Sequence, residues 1–458
     1  MQASSVKTVQ DARAIVAERD LDYIKVGVFD SDGILRGKHM GREKFLGALD
    51  KGFGFCDVVL GWDSNDQLYD NASLTGWHTG YPDAEVRLLP ETCRDLPFEF
   101  DGRGLLFLGE FAGTAEAACP RGVLRRVLDR ADRLGFAATA ALEYEFFLFD
   151  ETPHSAADKN YRGLRPITPG NFGYSMLRTS VLADFHGALL KLCGDMDFPL
   201  EGLHTETGPG VLEAAIDKDD ALRAADKAAL FKTFTKVLAQ QHDMMATFMA
   251  RWSVDYPGQS GHLHLSLRGR TDAGAVFHDA AAAQGISTAM RHFIGGQQAL
   301  MPELLAMVAP TVNAYTRLVP GFWAPTGATW GFENRTCALR AIGGSPAAQR
   351  VEYRVAAADG NPYLVMAAAL GSGLWGIENE IEPMPAMVGN AYDQKVPAKL
   401  KLPTSLGEAA QRLTRSKAAR QLFGDVFVEH FAASRDWEER EARKAVTDWQ
   451  LQRYFEII

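Results

Sequence analysis

ALEYEFFLFD, residues 141–150, alternates carboxylate and apolar side chains. Residues two apart on a strand share a face, so Glu143 and Glu145 point one way while Leu142, Tyr144 and Phe146 point the other. Three further segments carry related patterns. GHLHLSL (261–267) sets His262, His264 and Ser266 against Leu263, Leu265 and Leu267. RVEYRV (350–355) sets Arg350, Glu352 and Arg354 against Val351, Tyr353 and Val355. HTETGPGVLEAAI (204–216) carries Glu206 before a TGPG turn and Glu213 on the strand after it. The ordinary reading of any one such segment is a half-buried strand with its charges in water. Paired histidines and an Arg-Glu-Arg face are poor choices for a surface that is merely solvated. Five carboxylates and a histidine are instead what Mg²⁺ or Mn²⁺ require. Arginines beside them suit phosphate and carboxylate groups, which they grip through two oxygens. The combination outlines metal-dependent phosphoryl transfer. The chain has no GxxxxGK[ST] loop, which excludes a P-loop enzyme.

Composition narrows the frame. The chain has 458 residues, 47% hydrophobic and 23% charged, long enough for two or three domains. Its net charge of −10 argues against nucleic acid as a partner. Five scattered cysteines without CxxC spacing predict a reducing, cytoplasmic setting rather than disulfides. The first twenty residues, MQASSVKTVQDARAIVAERD, have no apolar stretch of the kind a secretory leader needs. The longest uncharged run, PYLVMAAALGSGLWGI (362–377), is short for a membrane span and reads as a buried helix. Residues 22–29 (DYIKVGVF) alternate like a strand, and DSDGILRG turns into another. At Pro120 the texture becomes helical, with Val123, Leu124, Val127, Leu128, Ala131 and Leu134 in register and Gly135 past the end. The spacing therefore predicts a boundary near 115, with one domain over 1–115 and a second over 116–458. Ser405 and Glu408 predict a capping box, and the last forty residues predict charged amphipathic helix.

Taken together, LEYEF, HTETGPGVLE, SGHLHLSL, RLVPG, ENRTCALR, RVEYRV and DGNPYL occur in the order and spacing of one family. From roughly residue 20 onward the chain resembles the glutamine synthetase superfamily, type I-like. The resemblance implies an α+β protein: a small N-terminal β-grasp domain and a large catalytic domain on a curved antiparallel sheet. It implies two or three Mg²⁺ or Mn²⁺ ions with ATP as a substrate. Glu145, Glu206 and Glu213 match the ligands of the metal near glutamate and ammonia, and Glu143, His262 and Glu352 those of the metal with the ATP phosphates. Arg317, Arg354, Gly258 and His204 match residues around glutamate. Arg335 and Arg340 match those facing the transferred phosphoryl group. Arg335, Arg350, His264 and Ser266 are implied near the nucleotide. The partners implied are glutamate and a small amine, with no nucleic acid or membrane. Homo-oligomers of hexameric rings, stacked as a dodecamer with active sites between subunits, follow from the same resemblance.

The departures from that family fall on the side of the nucleophile. In LVPGFWAPTGATWGFENRT (318–336), Trp323 stands where ammonia-using members carry a glutamate that closes the site and takes a proton from ammonium. Their Asp-Gly-Ser-Ser turn is missing from residues 52–66, leaving Asp57 or Asp63 as candidate substitutes. Pro257 replaces an asparagine and Val211 a glutamine. An indole accepts no proton but offers a broad apolar face. The chain therefore reads as an ATP-dependent ligase joining glutamate to an organic amine, hydrophobic or aromatic. Because an indole also binds cations, a polyamine or small alkylamine is an alternative. A true ammonia-dependent glutamine synthetase and a non-catalytic relative are the others. Glu333, in the same loop, is the candidate replacement base. Trp330 is as suited to pinning the loop as to touching a ligand, and Tyr392 reads as a surface-loop tyrosine.

Overall fold

The computed structural model describes residues 1–458. Strands β1 (Tyr23–Phe29), β2 (Leu35–Gly41), β3 (Phe53–Cys56), β4 (Asp83–Leu96) and β5 (Gly104–Phe111) form one sheet in the order β2-β1-β5-β4-β3. The first hairpin is antiparallel and β1 runs parallel to β5, a mixed topology with helices Val9–Glu18 and Arg42–Lys51 packed on it. Ile15, Val26, Phe45, Phe107 and Phe111 fill the core beneath.

The helix predicted from Pro120 spans Pro120–Arg133 and buries Val123, Leu124, Val127 and Ala131. It stops before Gly135, whose φ of +83° suits a residue without Cβ. Its Arg121 is buried and bidentate on Asp226 (2.9 and 3.1 Å), and it also reaches Glu110 of β5 at 2.9 Å. One guanidinium thus ties the small sheet to helix Ala221–Gln241. A buried pair of this kind gives a fixed geometry rather than large net stability.

The second sheet contains β6 (Phe136–Phe149), β7 (Leu200–Thr205), β8 (Val211–Ile216), β9 (Asp219–Asp220), β10 (Met245–Thr247), β11 (Gly261–Gly269), β12 (Trp330–Phe332), β13 (Leu339–Ile342) and β14 (Arg350–Tyr353). Its order is β12-β13-β14-β11-β6-β8-β7, with β9 and β10 also pairing with β6. Every pairing is antiparallel except β12 with β13, an edge departure from the expected all-antiparallel sheet. Leu142, Tyr144, Phe146, Leu263, Leu265 and Val351 are buried in the helical core. The run 362–377 is the buried helix Pro362–Glu378. It crosses helix Thr288–Val308 so closely that a Cβ on Gly376 would sit 2.1 Å from His292 O. One on Gly296 would sit 2.2 Å from Ser372 O. Glycine at both positions is what allows the two helices to touch through their backbones.

Farther on, Ser405 caps helix Leu406–Arg415 by accepting from Glu408 N, but the predicted box is incomplete. The Glu408 carboxylate takes Thr404 N at 3.0 Å instead of the Ser405 amide. Helices Asp425–Ala442 and Asp448–Tyr454 carry the C-terminal region, and no helix is long and apolar enough to cross a membrane.

Candidate active site

Strand register assembles the site. Opposite residues on antiparallel strands share a face. Across the sheet, Arg340 pairs with Glu352, and Glu352 with His264. His262 pairs with Glu143 one strand over, and Glu145 with Glu213, which pairs with His204. These rows put the polar face of the sheet against one cavity of about 520 Å³, lined by five carboxylates and five guanidinium groups. Glu143, Glu145, Glu206, Glu213, His262, Glu352, Arg317, Arg335, Arg340, Arg350 and Arg354 all reach it, as do Gly258, His204, His264 and Trp323. Ser266 does not. It lines an adjoining cavity of about 350 Å³ together with Glu143, His264 and Arg350.

Glu352 is the electrostatic centre. Arg340 Nη1 donates to its Oε2 at 3.1 Å, and Arg354 Nη1 donates to Oε1. Burial alone would raise this carboxyl, but the charges of His262, Arg354 and His264 outweigh it and hold it at about 2. For Glu143 burial is likewise outweighed, by contacts with His262 and His264, and its pKa falls. Arg350 Nε donates to His264 Nδ1 at 3.1 Å, so His264 presents Nε2 toward Glu143, 3.2 Å away. Arg354 Nε is buried with no hydrogen-bond partner. A polar atom left bare in this way suits a charged ligand.

Ligand atoms fall into three groups, each within 4.8 Å: Glu143, His264 and Glu352; Glu143, Glu213 and His262; and His204, Glu206 and Glu213. Carboxylate-rich sets with one imidazole fit Mg²⁺ or Mn²⁺. These groups overlap with the expected sets: His262 Nδ1 also lies 3.8 Å from Glu143 and 3.6 Å from Glu352, with His264 beside them. Glu145 pairs with Glu213 across the strands, and its Oε2 accepts Ser260 N at 2.6 Å. Its pKa is raised by burial and by the charge of Glu213. His204 lies 3.2 Å from Glu213 and 3.5 Å from Glu206, which lift it to about 9.

Around this centre, Arg317 is buried and donates to Val355 O and Arg354 O at 3.0 and 3.1 Å. Burial depresses it to about 10. Gly258 lies against it: a Cβ there would meet Arg317 Cγ at 2.7 Å and Ala250 O at 2.5 Å. Arg335 is exposed and lines the cavity. Glu333 lies outside the cavity lining. Its Oε2 accepts from Arg340 and its Oε1 accepts Gly343 N at 3.2 Å, so the carboxylate is already engaged on both oxygens. Asp63 is held by Trp437 Nε1 at 3.2 Å, and neither it nor Asp57 lines the cavity of its own chain.

The two tryptophans of the loop separate. Trp330 is buried and donates through Nε1 to Met384 O, so it pins the loop. Trp323 is 59% exposed at the cavity rim, in the left-handed region at φ +60°. Tyr392 is half-buried rather than a free surface tyrosine, and its hydroxyl donates to Ala324 O at 3.0 Å. Two lining aromatics were not foreseen. Phe322 carries the guanidinium of Arg251 over its ring at 4.8 Å. Tyr174 stacks on His204 with centroids 4.5 Å apart and planes 9° apart. Tyr174 is brought there by its own N–H on Thr205 O at 2.7 Å, a long-range contact without a local signature.

Comparison with known proteins points to the same family as the sequence motifs. A family model described as the glutamine synthetase catalytic domain matches residues 117–454. The chain is 44% identical to a protein of Dictyostelium discoideum named type-1 glutamine synthetase 2, over 95% of this chain and 84% of that one. It is 37% identical, over all of both chains, to the glutamate–isopropylamine ligase of a Pseudomonas species. It is 36% identical to the gamma-glutamylethanolamide synthetase GlnA4 of Streptomyces coelicolor, over 98% of this chain and 96% of that one. A solved structure titled as a GmaS/ADP complex superposes with a TM-score of 0.84 at 25% identity, over 97% of this chain and 99% of that one.

Proposed function

Because this chain belongs to the glutamine synthetase family, we propose that it is an ATP-dependent carbon–nitrogen ligase that joins the γ-carboxylate of glutamate to an organic amine. The observation that carries this is the cavity in which five carboxylates and five guanidinium groups face each other beneath an exposed indole. A γ-carboxylate oxygen of glutamate attacks the terminal phosphorus of ATP, and ADP leaves. The amine nitrogen then attacks the acyl carbon of the γ-glutamyl phosphate. Phosphate departs with the electron pair of the broken C–O bond, and the amine loses one proton.

The side chains divide this work. Arg317 and Arg354 hold glutamate, and the bare Nε of Arg354 supports that role. Arg335 and Arg340 face the transferred phosphoryl group, where fixed cations stabilise accumulating negative charge. Arg350, His264 and Ser266 flank the nucleotide, which fits the adjoining cavity they share. Two or three Mg²⁺ or Mn²⁺ ions, held by Glu143, Glu145, Glu206, Glu213, His262 and Glu352 with His204 and His264 beside them, would supply positive charge at the phosphate and carboxylate oxygens. Glu333 orients Arg340.

Trp323 forms the amine-facing wall. An apolar wall without a carboxylate disfavours ammonium and favours an amine with an apolar part, alkyl or aromatic. The relatives named for isopropylamine and ethanolamine support the aliphatic choice. The second reading is ammonia itself, favoured by the relative named a type-1 glutamine synthetase. Phosphate release with ATP, Mg²⁺ and glutamate, across a panel of ammonium, alkylamines, polyamines and anilines, decides between them. The proposal expects the best kcat/KM with an organic amine; ammonium as best substrate would overturn it.

The family resemblance also supports hexameric rings stacked as a dodecamer, and exposed Trp77 and Phe455 are apolar side chains that subunit contacts would cover. A division near residue 115 accords with the family match beginning at 117. Five free cysteines accord with a cytoplasmic setting.

A further inference from the structure

A second cavity, of about 680 Å³, lies away from the polar face of the sheet. Its walls are helix Thr288–Val308, helix Pro362–Glu378 and side chains between Lys399 and Gln421. Four cations line it, Lys399, Arg412, Arg415 and Lys417, against the single carboxylate of Glu303. Arg412 is partly engaged, with Glu408 at 2.6 Å and Lys401 O at 3.2 Å. Glu303 is occupied as well, accepting from Ser416 Oγ. Lys399, Arg415 and Lys417 make no ion pair with the chain. On a protein of net charge −10, cations gathered from three segments around one concavity mark a local reversal of sign. Their mutual repulsion is relieved when an anion enters.

We propose that this cavity binds a small organic polyanion bearing phosphate or carboxylate groups. The forks of Arg412 and Arg415 suit two oxygens of one group, and the lysines suit a second. Leu300, Pro302 and the half-buried indole of Trp375 offer an apolar surface to the organic part. The volume lies in the range of small-molecule sites.

The position gives the site a consequence. Leu400, next to Lys399, accepts Ala328 N through its carbonyl at 2.8 Å, and Gly327 bridges to Lys401. From the opposite wall, Gln298 Nε2 donates to Ala328 O at 2.7 Å. Both walls therefore hold residue 328 of the loop that carries Trp323. An anion that draws Lys399 toward the arginines acts on the anchor of that loop and changes the KM for the amine. This coupling rests on the reading of Trp323 above; the binding site does not.

The test uses the full-length protein and two probes foreign to the nucleotide site, glucose 1,6-bisphosphate and tricarballylate, titrated calorimetrically. The expected result is one molecule of at least one probe per chain, bound at least tenfold more weakly by the double variant Arg415→Gln/Lys417→Gln. Both side chains are exposed, and the variant keeps the wild-type kcat measured without probe. Binding of the bisphosphate alone identifies a phosphate ligand, and of the tricarboxylate alone a carboxylate ligand. Failure of both probes to bind, or equal binding by wild type and double variant, overturns the site. A bound probe should shift the amine KM at least twofold in wild type and not in the double variant. An unchanged KM overturns the coupling. Absence of any amine-dependent turnover would instead overturn the proposed function and leave the binding result to decide the site.

Discussion

Two regions meet at the cavity, and they are built differently. The polar sheet face is locked by register: Arg340, Glu352 and His264 stand side by side because β13, β14 and β11 pair that way. Moving one of them means slipping a strand, and a slip of one residue would send the polar set into the helical core. The loop from Leu318 to Thr329 lies on no such ladder. Its Trp323 holds an exposed side chain on a left-handed backbone, an arrangement bulky residues rarely adopt without a reason. The lesson is a division of labour. On the proposed function, phosphoryl-transfer chemistry is written into strand pairing, where change is costly, and choice of amine sits on a loop, where one side chain can change and leave the ladder intact.

The sharpest way to break that contrast is to damage the sheet face. Glu352→Gln should lower amine-dependent phosphate release by more than about 100-fold, beyond what an outer-shell partner of a metal costs. Chelation with EDTA should abolish the same signal and added Mg²⁺ restore it. Glu352→Ala should also lose stability, on the order of 3–5 kcal/mol, because Arg354 stays buried beside a missing counter-charge. Thermal melting separates the two effects. A Gln variant with a tenth or more of wild-type turnover would remove Glu352 from the chemistry.

The loop should respond in selectivity, not in chemistry. Trp323→Glu restores a carboxylate at the rim and should shift the ratio of kcat/KM values toward ammonium by about tenfold, equivalent to roughly 1.4 kcal/mol. Total phosphate release with the preferred nucleophile should fall far less than for Glu352→Gln. An unchanged ratio would make Trp323 a packing residue.

The same contrast explains what could be read in the sequence. Period-two alternation exposed the polar faces of β6, β11 and β14, because the side-chain direction on a strand is a local property. The identity of partners is not local. Both His262 and His264 come to Glu352, His264 as its partner in the β11–β14 register and His262 at 3.6 Å, and Glu145 accepts from the backbone of Ser260, 115 residues away. Tyr174 reaches His204 only because its loop clips onto the end of β7, and nothing in NFGYSML signals that. The parallel edge pair β12 and β13 was hidden for the same reason. Helix Pro120–Arg133, with Pro, periodic apolar residues and Gly in sequence, was legible throughout.

A smaller effect is expected where the two regions touch. Glu333 follows β12, just past that loop, and its carboxylate accepts from Arg340 of β13. Glu333→Gln should reduce kcat by no more than about tenfold and leave the pH profile of kcat/KM for the amine in place. A true general base would cost about 10²–10⁴-fold and move that profile.

The smallest change expected is at the other tryptophan. Trp330→Phe removes one buried hydrogen bond, to Met384 O, and leaves that carbonyl short of a donor. The cost should be about 1 kcal/mol, read as a small drop in the midpoint of thermal unfolding. Because Trp330 is buried and does not line the cavity, the ratio of organic amine to ammonium turnover should stay at the wild-type value. If Trp330→Phe moves that ratio as far as Trp323→Glu does, the loop acts as one rigid unit, and selectivity belongs to its anchoring rather than to the indole at the rim.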